Sequence, residues 1–327
     1  MNPMHAEKIR ECVVHIGSEK TGTTSIQNFF ARNRDALVER GYLFPRSLAH
    51  GNDPVHLRLS EIGRGRGDAE RSGLAAAFGR ECDEAARAGA RTAIISSEFL
   101  HSFIRTPAAV TRVHKFLAPF FERMRIVYYA RRQDHLLASM HSTAIRGGYT
   151  TSRSALTVYP AKGHHYFDHM EVCDLWSAKF GAENLVCRIY ERGRLVNEDI
   201  IDDFSSVVGL PVDGTRARVA SNESLSFETA SLLLLLNASV HKDNKELRRK
   251  LVAAGRKRGG SKIPLLTKAD AEQFLSKFND SNRAFFSQYV DRALATDFSA
   301  GFDAFPETIP DPPPARQILK LVFGAEL

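Results

Sequence analysis

The sequence predicts an α/β fold in which helices cover both faces of a central parallel sheet. Short apolar runs, typical of buried parallel strands, alternate with longer segments whose apolar residues recur at helical spacing. This alternation is typical of βαβ units, in which a helix connects two parallel strands. The predicted strands lie near 11–16, 91–97, 124–130 and 185–190, and the predicted helices near 23–40, 70–88, 107–121, 133–147 and 167–180.

The chain is long enough to bury a large core, with 327 residues of which 43% are hydrophobic and 25% charged. After Pro211 the patterning becomes predominantly helical. We therefore expect a single domain over 1–327, with an α/β core at about 10–210 and a helical C-terminal part at about 211–327. The helices predicted in that part lie at 227–240, 244–255, 269–277 and 282–294.

The segment after the first strand has the composition of a phosphate-binding loop. Gly17 and Gly22 let the backbone turn tightly and approach a ligand, and the free N–H groups of the following helix favour an anion. In proteins that hydrolyse ATP or GTP, the phosphate-binding loop carries a lysine directly after its second glycine. Here Thr23 occupies that position, and the lysine, Lys20, lies inside the loop. Further hydroxyl donors follow at Thr24 and Ser25.

A pair of arginines, Arg131 and Arg132, directly follows the strand predicted at 124–130. Open α/β sheets bind ligands at the carboxyl ends of their strands, and arginine suits bidentate binding of phosphate. Arg132 could instead be a solvent-facing residue or a salt-bridge partner, which is the ordinary role of a surface arginine. The sequence therefore predicts a second anion-binding group near the loop.

Together these motifs resemble the sulfotransferase family, which uses 3′-phosphoadenosine 5′-phosphosulfate (PAPS) as sulfuryl donor. The run K-T-G-T-T resembles its 5′-phosphosulfate loop, and Arg131 followed by Ser139 resembles its 3′-phosphate motif. The resemblance covers about 10–210 and implies a P-loop-like three-layer α/β/α fold, PAPS as co-substrate and no required metal. It implies that Lys20 contacts the oxygen that bridges phosphate and sulfate, and that Arg131 and Ser139 bind the 3′-phosphate. It assigns the 5′-phosphate to the small residues that follow Lys20, namely Thr21, Gly22, Thr23, Thr24 and Ser25.

Two further matches extend the implied donor site. The strand that ends in Tyr190 and Glu191 resembles a strand of the family that ends in the same two residues. The tyrosine of that strand lies near the adenine, so the resemblance implies the same position for Tyr190. The basic loop at 256–264 resembles the family's loop that closes over the 3′-phosphate. Its candidate residues are Arg258, Gly259 and Lys262, although a charge run of this kind is most often solvated.

The candidate general base follows the strand predicted at 91–97. An acceptor hydroxyl must lose its proton as the S–O bond forms, and a positioned Glu or His contributes typically ~10²–10⁴-fold. In the family the base is a His or a Glu, which makes Glu98 the first candidate and His101 the second. Glu98 could instead pair with an arginine or cap a helix, and His101 could be half-buried in the core.

Other histidines have alternative interpretations. His165 and His169 have the four-residue spacing that can hold zinc on one helical face, but no cysteine or carboxylate pattern supports a metal, and none is predicted. His50 and His56 flank a polar loop that could lie over the acceptor or be ordinary surface.

The formal net charge of +7 is spread along the chain, and recognisable nucleic-acid-binding motifs are absent. A positive cleft that attracts an anionic donor accounts for this charge, so no nucleic-acid partner is predicted. The predicted partner is a carbohydrate, glycolipid or other small hydroxylated acceptor, which rests on association with the family alone. A P-loop kinase or NTPase and a non-catalytic nucleotide-binding protein remain as alternatives.

The sequence also predicts a cytoplasmic protein without a membrane span. Four cysteines without metal spacing are expected to be buried free thiols of a reducing compartment. The first ten residues lack the apolar core of a signal peptide. The leucine run at 232–236 is much shorter than the ~20 residues that a bilayer requires.

Overall fold

The computed structural model describes residues 8–65, 68–211, 225–261, 263–291, 298–299, 301–312, 314 and 316. In these residues a single sheet is flanked by helices, and all its strand pairs are parallel. The predicted α/β class with a central parallel sheet is therefore confirmed. The strands are β1 (Glu11–Gly17), β2 (Tyr42–Leu43), β3 (Thr92–Ser96), β4 (Arg123–Ala130) and β5 (Leu185–Ile189), in the order β2-β3-β1-β4-β5.

Helices follow most of these strands along the chain. Those of the described residues are α1 (Thr23–Arg32), α2 (Arg34–Glu39), α3 (Leu57–Gly63), α4 (Asp68–Arg87), α5 (Phe99–Phe103), α6 (Pro107–Leu117), α7 (Gln133–Gly147), α8 (Tyr159–Lys162), α9 (His169–Phe180), α10 (Ile200–Val207), α11 (Phe227–Asn237), α12 (Lys245–Arg258), α13 (Lys268–Ser276) and α14 (Asn279–Tyr289).

The helix predicted over 23–40 is wrong in one respect, because the chain forms two helices that meet at Asn33. The Asn33 side-chain amide donates to the carbonyl of Phe29 at 2.7 Å, and its backbone adopts φ −108° and ψ 16°. Asparagine competes in this way with the helical hydrogen-bond ladder. The periodicity of the apolar residues continues across the break, so the pattern alone did not reveal it.

The described residues form two compact units. Unit 1 holds those of Met1–Arg131, Asp168–Val219 and Ser281–Thr296, and unit 2 holds those of Arg132–Phe167, Ala220–Asp280 and Asp297–Leu327. The sheet lies in unit 1. This division differs from the predicted boundary near 211, since residues 132–167 group with the C-terminal helices. The single domain remains a prediction.

The two faces of the sheet in unit 1 are packed by different helices. Val127 and Tyr129 of β4 belong to a buried apolar cluster with residues of α1 and α10, such as Phe30 and Phe204. Alternate residues of a strand point to opposite faces. Accordingly, Tyr128 makes its hydrogen bond to His169 of α9. The second half of β4 is therefore buried on both faces, as are β1 and β3, which explains their continuous apolar runs.

Unit 2 has its own apolar core. One cluster joins α7 and α13 through buried residues such as Leu137 and Phe274, and another joins α11 and α12 through Leu233 and Leu251. Among the helices that the structure describes, none has the length and apolarity that crossing a bilayer would need.

The predicted burial of the cysteines is confirmed. All four are buried and unbridged, at Cys12, Cys82, Cys173 and Cys187. The Sγ atoms of Cys173 in α9 and Cys187 in β5 lie 3.4 Å apart.

Candidate functional site

The strand order indicates where a ligand would be expected to bind, at the carboxyl ends of β1 and β4. After β1 the chain continues to the side of β3 and β2, whereas after β4 it continues to β5 on the other side. In open α/β sheets such a reversal marks the point outside the carboxyl ends of the strands where ligands bind. The segments that follow β1, β3 and β4 here contain Lys20, Glu98 and Arg131. These three predicted residues all lie in unit 1.

The loop between β1 and α1 needs its two glycines for both conformation and space. Gly17 and Gly22 have φ of +106° and +79°, which L side chains rarely adopt. A β-carbon on Gly17 would lie 3.3 Å from the Cα of Glu98, and one on Gly22 would lie 2.9 Å from the side chain of Ile200. Gly17 therefore lets the loop lie against the segment that carries the candidate base, and Gly22 lets it lie against Ile200 of α10.

The same loop is tied to the end of β4. The backbone N–H and the hydroxyl of Ser18 both donate to the carbonyl of Tyr129, at 3.3 and 3.2 Å. Thr21 then donates its hydroxyl to the carbonyl of Ser18 at 2.6 Å. Thr21 is thus buried in the loop's own hydrogen bonding. Hydrogen bonds within the chain therefore help to define the shape of the loop.

Gly22 is the N-cap of helix α1 and has no side chain that could cap it. The Gly22 carbonyl accepts from the N–H groups of Ser25 and Ile26, at 2.9 and 3.2 Å. The first N–H groups of a helix have no partner within the helix and favour an anion. Of the hydroxyl residues predicted to bind phosphate, Thr24 is exposed, Ser25 is half-buried and Thr23 is buried.

Arg131 meets the loop directly. Its Nη1 donates to the carbonyl oxygen of Lys20 at 2.7 Å, and its guanidinium carbon lies 5.5 Å from the centre of the Tyr190 ring. Tyr190 is held in turn by its backbone N–H, which donates to the carbonyl of Ala130 at 2.7 Å. The structure therefore brings together Lys20, Arg131 and Tyr190, and their roles toward a donor remain predictions.

Arg132 is paired within unit 2. It donates to both carboxylate oxygens of Asp134, with a shortest distance of 2.7 Å, and to the carbonyl of Gly301 at 2.9 Å. Its guanidinium also lies 4.8 Å from the centre of the Phe302 ring. The interpretation of Arg132 as a salt-bridge partner is confirmed.

Glu98 is half-buried at the carboxyl end of β3, where it directly precedes α5. Its Oε2 accepts a hydrogen bond of 2.6 Å from Nε2 of Gln27, and its side chain does not cap α5. Burial raises the pKa of Glu98, the Gln27 amide opposes this effect, and the carboxylates of Glu19 and Asp53 add to it. A carboxylate with a raised pKa in a crevice is a candidate general base.

His101 is more deeply placed than the sequence suggested. Only 1% of its surface is exposed, so the ring is fully buried and not half-buried as in the alternative interpretation, and its role as a base stays a prediction. Its ring centre lies 5.9 Å from that of Tyr128, and its β-carbon lies 3.4 Å from the position of a β-carbon on Gly17. Glu98 is therefore the more accessible of the two candidate bases.

The remaining predicted donor residues lie in unit 2. Ser139 is half-buried on α7, where its carbonyl accepts from the hydroxyl of Thr143 at 3.2 Å. Gly259 ends α12 with φ +74°. The side chain of Arg258 and residue Lys262 lie outside the described residues. The donor roles of these residues remain predictions.

Two side-chain contacts that sequence reasoning missed surround the base. One is the Gln27 amide, and the other is a hydrogen bond from the Ser102 hydroxyl to the Glu19 carboxylate. A signal for Gln27 was present, because it is a polar residue between Ile26 and Phe30 on the buried face of α1. The Ser102 contact depends on how α5 packs against the loop and had no local signal.

The other histidine segments have structural roles. Nε2 of His56 donates to the carbonyl of Pro45 at 2.7 Å, and its Nδ1 accepts from the N–H of Ser96 at 2.9 Å. His56 is fully buried, whereas His50 lies at the surface beside Glu61, at 3.2 Å. Of these two histidines, only His50 therefore remains a candidate for the polar loop that could lie over the acceptor.

His165 and His169 do not share a helix. His165 lies in a short 3-10 turn at His164–Tyr166, and His169 begins α9. Nε2 of His169 donates to the carbonyl of Arg131 at 2.9 Å, and Nδ1 accepts from the hydroxyl of Tyr128 at 2.7 Å. Both nitrogens of His169 are thus engaged. Over the part of the chain that the structure describes, no group of three or more His, Cys, Asp or Glu could hold a metal ion.

The buried histidines predict that acid destabilises the protein. Burial lowers the pKa of His15 and His56 to about 3 and that of His169 to about 4. In the unfolded chain histidine has a pKa of about 6.5, so the unfolded state binds more protons below that pH. The stability that these groups contribute is complete above pH ~6.5 and is lost as the pH falls toward about 3 to 4.

We expect His56→Gln to reduce this loss, because glutamine can donate and accept but does not ionise. Between pH 7 and pH 5 its free energy of unfolding should fall by about 2 kcal/mol less than that of the wild type. Urea titrations at the two pH values measure this difference. His50→Gln, at the exposed end of the same loop, is the control and should behave as the wild type. An equal fall in His56→Gln and wild type would contradict the prediction.

Comparisons with known proteins leave the family of this chain open. No family model matches it, and no solved structure matches it. It is 26% identical over 201 residues to an uncharacterized protein of Archaeoglobus fulgidus, a stretch that covers 60% of this chain and 53% of the archaeal protein. The match therefore spans about half the length of that relative, and the relative carries no assigned activity.

Proposed function

We propose that the protein is a PAPS-dependent sulfotransferase that transfers the sulfuryl group to a hydroxyl or amine of an acceptor. The observation that supports this most is the contact between the two predicted anion-binding motifs, which lie at the carboxyl ends of β1 and β4. The Arg131 guanidinium lies 2.7 Å from the Lys20 carbonyl, beside the uncapped start of α1. Two cationic residues and a helix N-terminus together suit a donor with phosphate and sulfate groups.

In the proposed reaction the acceptor oxygen attacks sulfur in line with the oxygen that bridges sulfate and phosphate. A new S–O bond forms as the bond from sulfur to the bridging oxygen breaks, and 3′-phosphoadenosine 5′-phosphate (PAP) leaves with the electron pair. Glu98 accepts the acceptor's proton. Lys20 and the N–H groups of α1 stabilise the negative charge that develops on the leaving phosphate.

The environment of Glu98 predicts how the enzymatic activity should fall at low pH. Glu98 must be ionised to accept a proton, and burial raises its pKa above the ordinary value. Activity should therefore fall as the pH is lowered through the raised pKa of Glu98, at a higher pH than for an exposed glutamate.

Two features bear on the kinase alternative. The position after Gly22, where kinases and NTPases carry the lysine that reaches the β- and γ-phosphates, holds Thr23, whose side chain is buried. The lysine that is present lies three residues earlier and has φ +65°. Both features favour a single 5′-phosphate at the loop over a bound triphosphate. A carbohydrate or glycolipid acceptor is part of the proposal and rests on the family resemblance alone.

We expect PAP to raise the melting temperature by several degrees at a concentration 100 times its Kd. Binding to the native state at that ratio contributes about 2.7 kcal/mol, and one kcal/mol corresponds to about 2–4 °C in domains of somewhat smaller size. ATP with magnesium should raise it less, because the loop lacks the lysine that a triphosphate requires.

The measurement is a thermal-shift series with PAP, ATP with magnesium, and no ligand. Arg46→Ala, a substitution at an exposed surface arginine, is the matched control and should retain the full PAP response. Equal or greater stabilisation by ATP with magnesium would favour the kinase alternative instead.

A further inference from the structure

Gln27 is a buried amide on the helix that begins at the phosphate loop. Only 1% of its surface is exposed, and it lies in α1 between the fully buried side chains of Ile26 and Phe30. Burying an amide without a hydrogen-bond partner is costly, so such residues point to a specific contact. The contact of Gln27 is with the Glu98 carboxylate, at 2.6 Å.

The geometry of this contact connects the loop with the base. Gln27 lies one helical turn after Thr23, so its distance from the loop is set by α1 itself. Glu98 follows β3, and its Cα would lie only 3.3 Å from a β-carbon on Gly17 of the loop. A hydrogen bond from α1 to Glu98 therefore fixes the base relative to the same loop that is proposed to bind the donor.

We propose that Gln27 is the positioning residue of the general base: its amide holds Oε2 of Glu98 so that the carboxylate keeps one orientation beside the loop. This inference rests on the proposed function, because Glu98 needs a fixed orientation only if it accepts a proton. Gln27 does not touch the reacting atoms. It acts through Glu98.

The charges around Glu98 explain why an amide is needed there. Glu19 of the loop and Asp53 of the segment before α3 both disfavour the ionised carboxylate, as does burial. The donors that favour the ionised form are the Gln27 amide and the backbone N–H of Glu98 itself. An amide N–H can donate a hydrogen bond to the carboxylate without adding a second positive charge, which would compete with Lys20 for the anionic PAPS.

The test follows the ionisation of Glu98 directly, by NMR of protein labelled with carbon-13 at the glutamate side-chain carboxyl. The Glu98 signal is identified by its absence from Glu98→Gln. Gln27→Met keeps the side-chain length but has no hydrogen-bond donor. In this variant the midpoint of the Glu98 titration should move to higher pH, to a proton concentration about tenfold lower than in the wild type, or lower still. Gln27→Asn, which withdraws the amide by one methylene, should move it in the same direction and is a second variant if Gln27→Met folds poorly.

Asn28→Met is the matched control, because it removes a half-buried amide from the adjacent position of α1 and should leave the Glu98 titration unchanged. In the active enzyme the acid limb of kcat/KM should move together with the titration in Gln27→Met, while KM for PAPS stays within about twofold. A folded Gln27→Met whose Glu98 midpoint equals that of the wild type would overturn the proposal and leave Gln27 as a core residue.

The NMR measurement does not depend on turnover, so it separates the two proposals. If the midpoint moves in Gln27→Met but the wild type transfers no sulfuryl group, the proposed function fails while Gln27 stands as the residue that holds the carboxylate. If turnover is normal and the midpoint does not move, the proposed function stands and the role of Gln27 fails.

Discussion

Replacing Glu98 by glutamine is expected to lower kcat by about two to four orders of magnitude, because the amide keeps the shape of the side chain but cannot accept the acceptor's proton. The carbonyl oxygen of the introduced amide can still accept from Gln27, so the local hydrogen bonding is retained. Fold and PAP affinity should therefore stay close to those of the wild type. Steady-state rates of PAP release, with calorimetric PAP binding on the same preparations, measure both quantities.

His101→Ala is the comparison for this variant. His101 is buried against Tyr128, so its removal should lower stability more than the rate at a temperature where both proteins are folded. A near-normal kcat in Glu98→Gln combined with a collapse in His101→Ala would transfer the role of base to the histidine. Normal rates in both variants would place the base elsewhere.

Lys20→Ala is expected to remove most turnover, by about 10²–10³ in kcat, because the lysine stabilises charge that develops chiefly in the transition state. Arg131→Ala should act differently and weaken PAP binding by a charge-assisted contact worth about 1.5–3 kcal/mol. Since Arg131 also bonds the Lys20 carbonyl, its loss should lower kcat as well, though less than the loss of Lys20. Calorimetric PAP affinity and kcat, measured for both variants, separate the two defects.

Two further substitutions sharpen this comparison. Lys20→Met keeps the length of the side chain without its charge and should match Lys20→Ala in kcat. Arg132→Ala removes the neighbouring arginine, which is paired with Asp134, and should lower stability while PAP affinity stays unchanged. Unchanged PAP affinity in Arg131→Ala would show that the 3′-phosphate is bound elsewhere, and an unchanged kcat in Lys20→Ala would contradict the role of the loop lysine.

Strands and long helices could be predicted from the sequence because their signals are local. The runs that became β1, β3 and the second half of β4 are buried on both faces, so each appears as a continuous apolar segment, whereas β5 alternates between buried and half-buried residues. The parallel arrangement also brings the residues after β1, β3 and β4 to one edge of the sheet. For that reason the strand pattern alone is enough to predict that Lys20, Glu98 and Arg131 lie near one another.

The features that could not be predicted depend on packing between distant segments. The strand β2 has two residues, and α3, α5, α8 and α10 have eight or fewer, so none has a long enough pattern of its own. The grouping of residues 132–167 with the C-terminal helices has no local signal either. The Gln27 contact joins residues 71 positions apart, and only the folded chain defines it.

A crystal structure of the complex with PAP tests the central claim most directly, namely that the crevice at β1 and β4 is a PAPS site. We predict that the 5′-phosphate is bound by N–H groups of the loop at 17–25, with Lys20 beside it, and that the 3′-phosphate lies within hydrogen-bond distance of Arg131. PAP bound at another place would contradict the claim. So would a crevice that stays empty at saturating PAP but takes up ATP with magnesium.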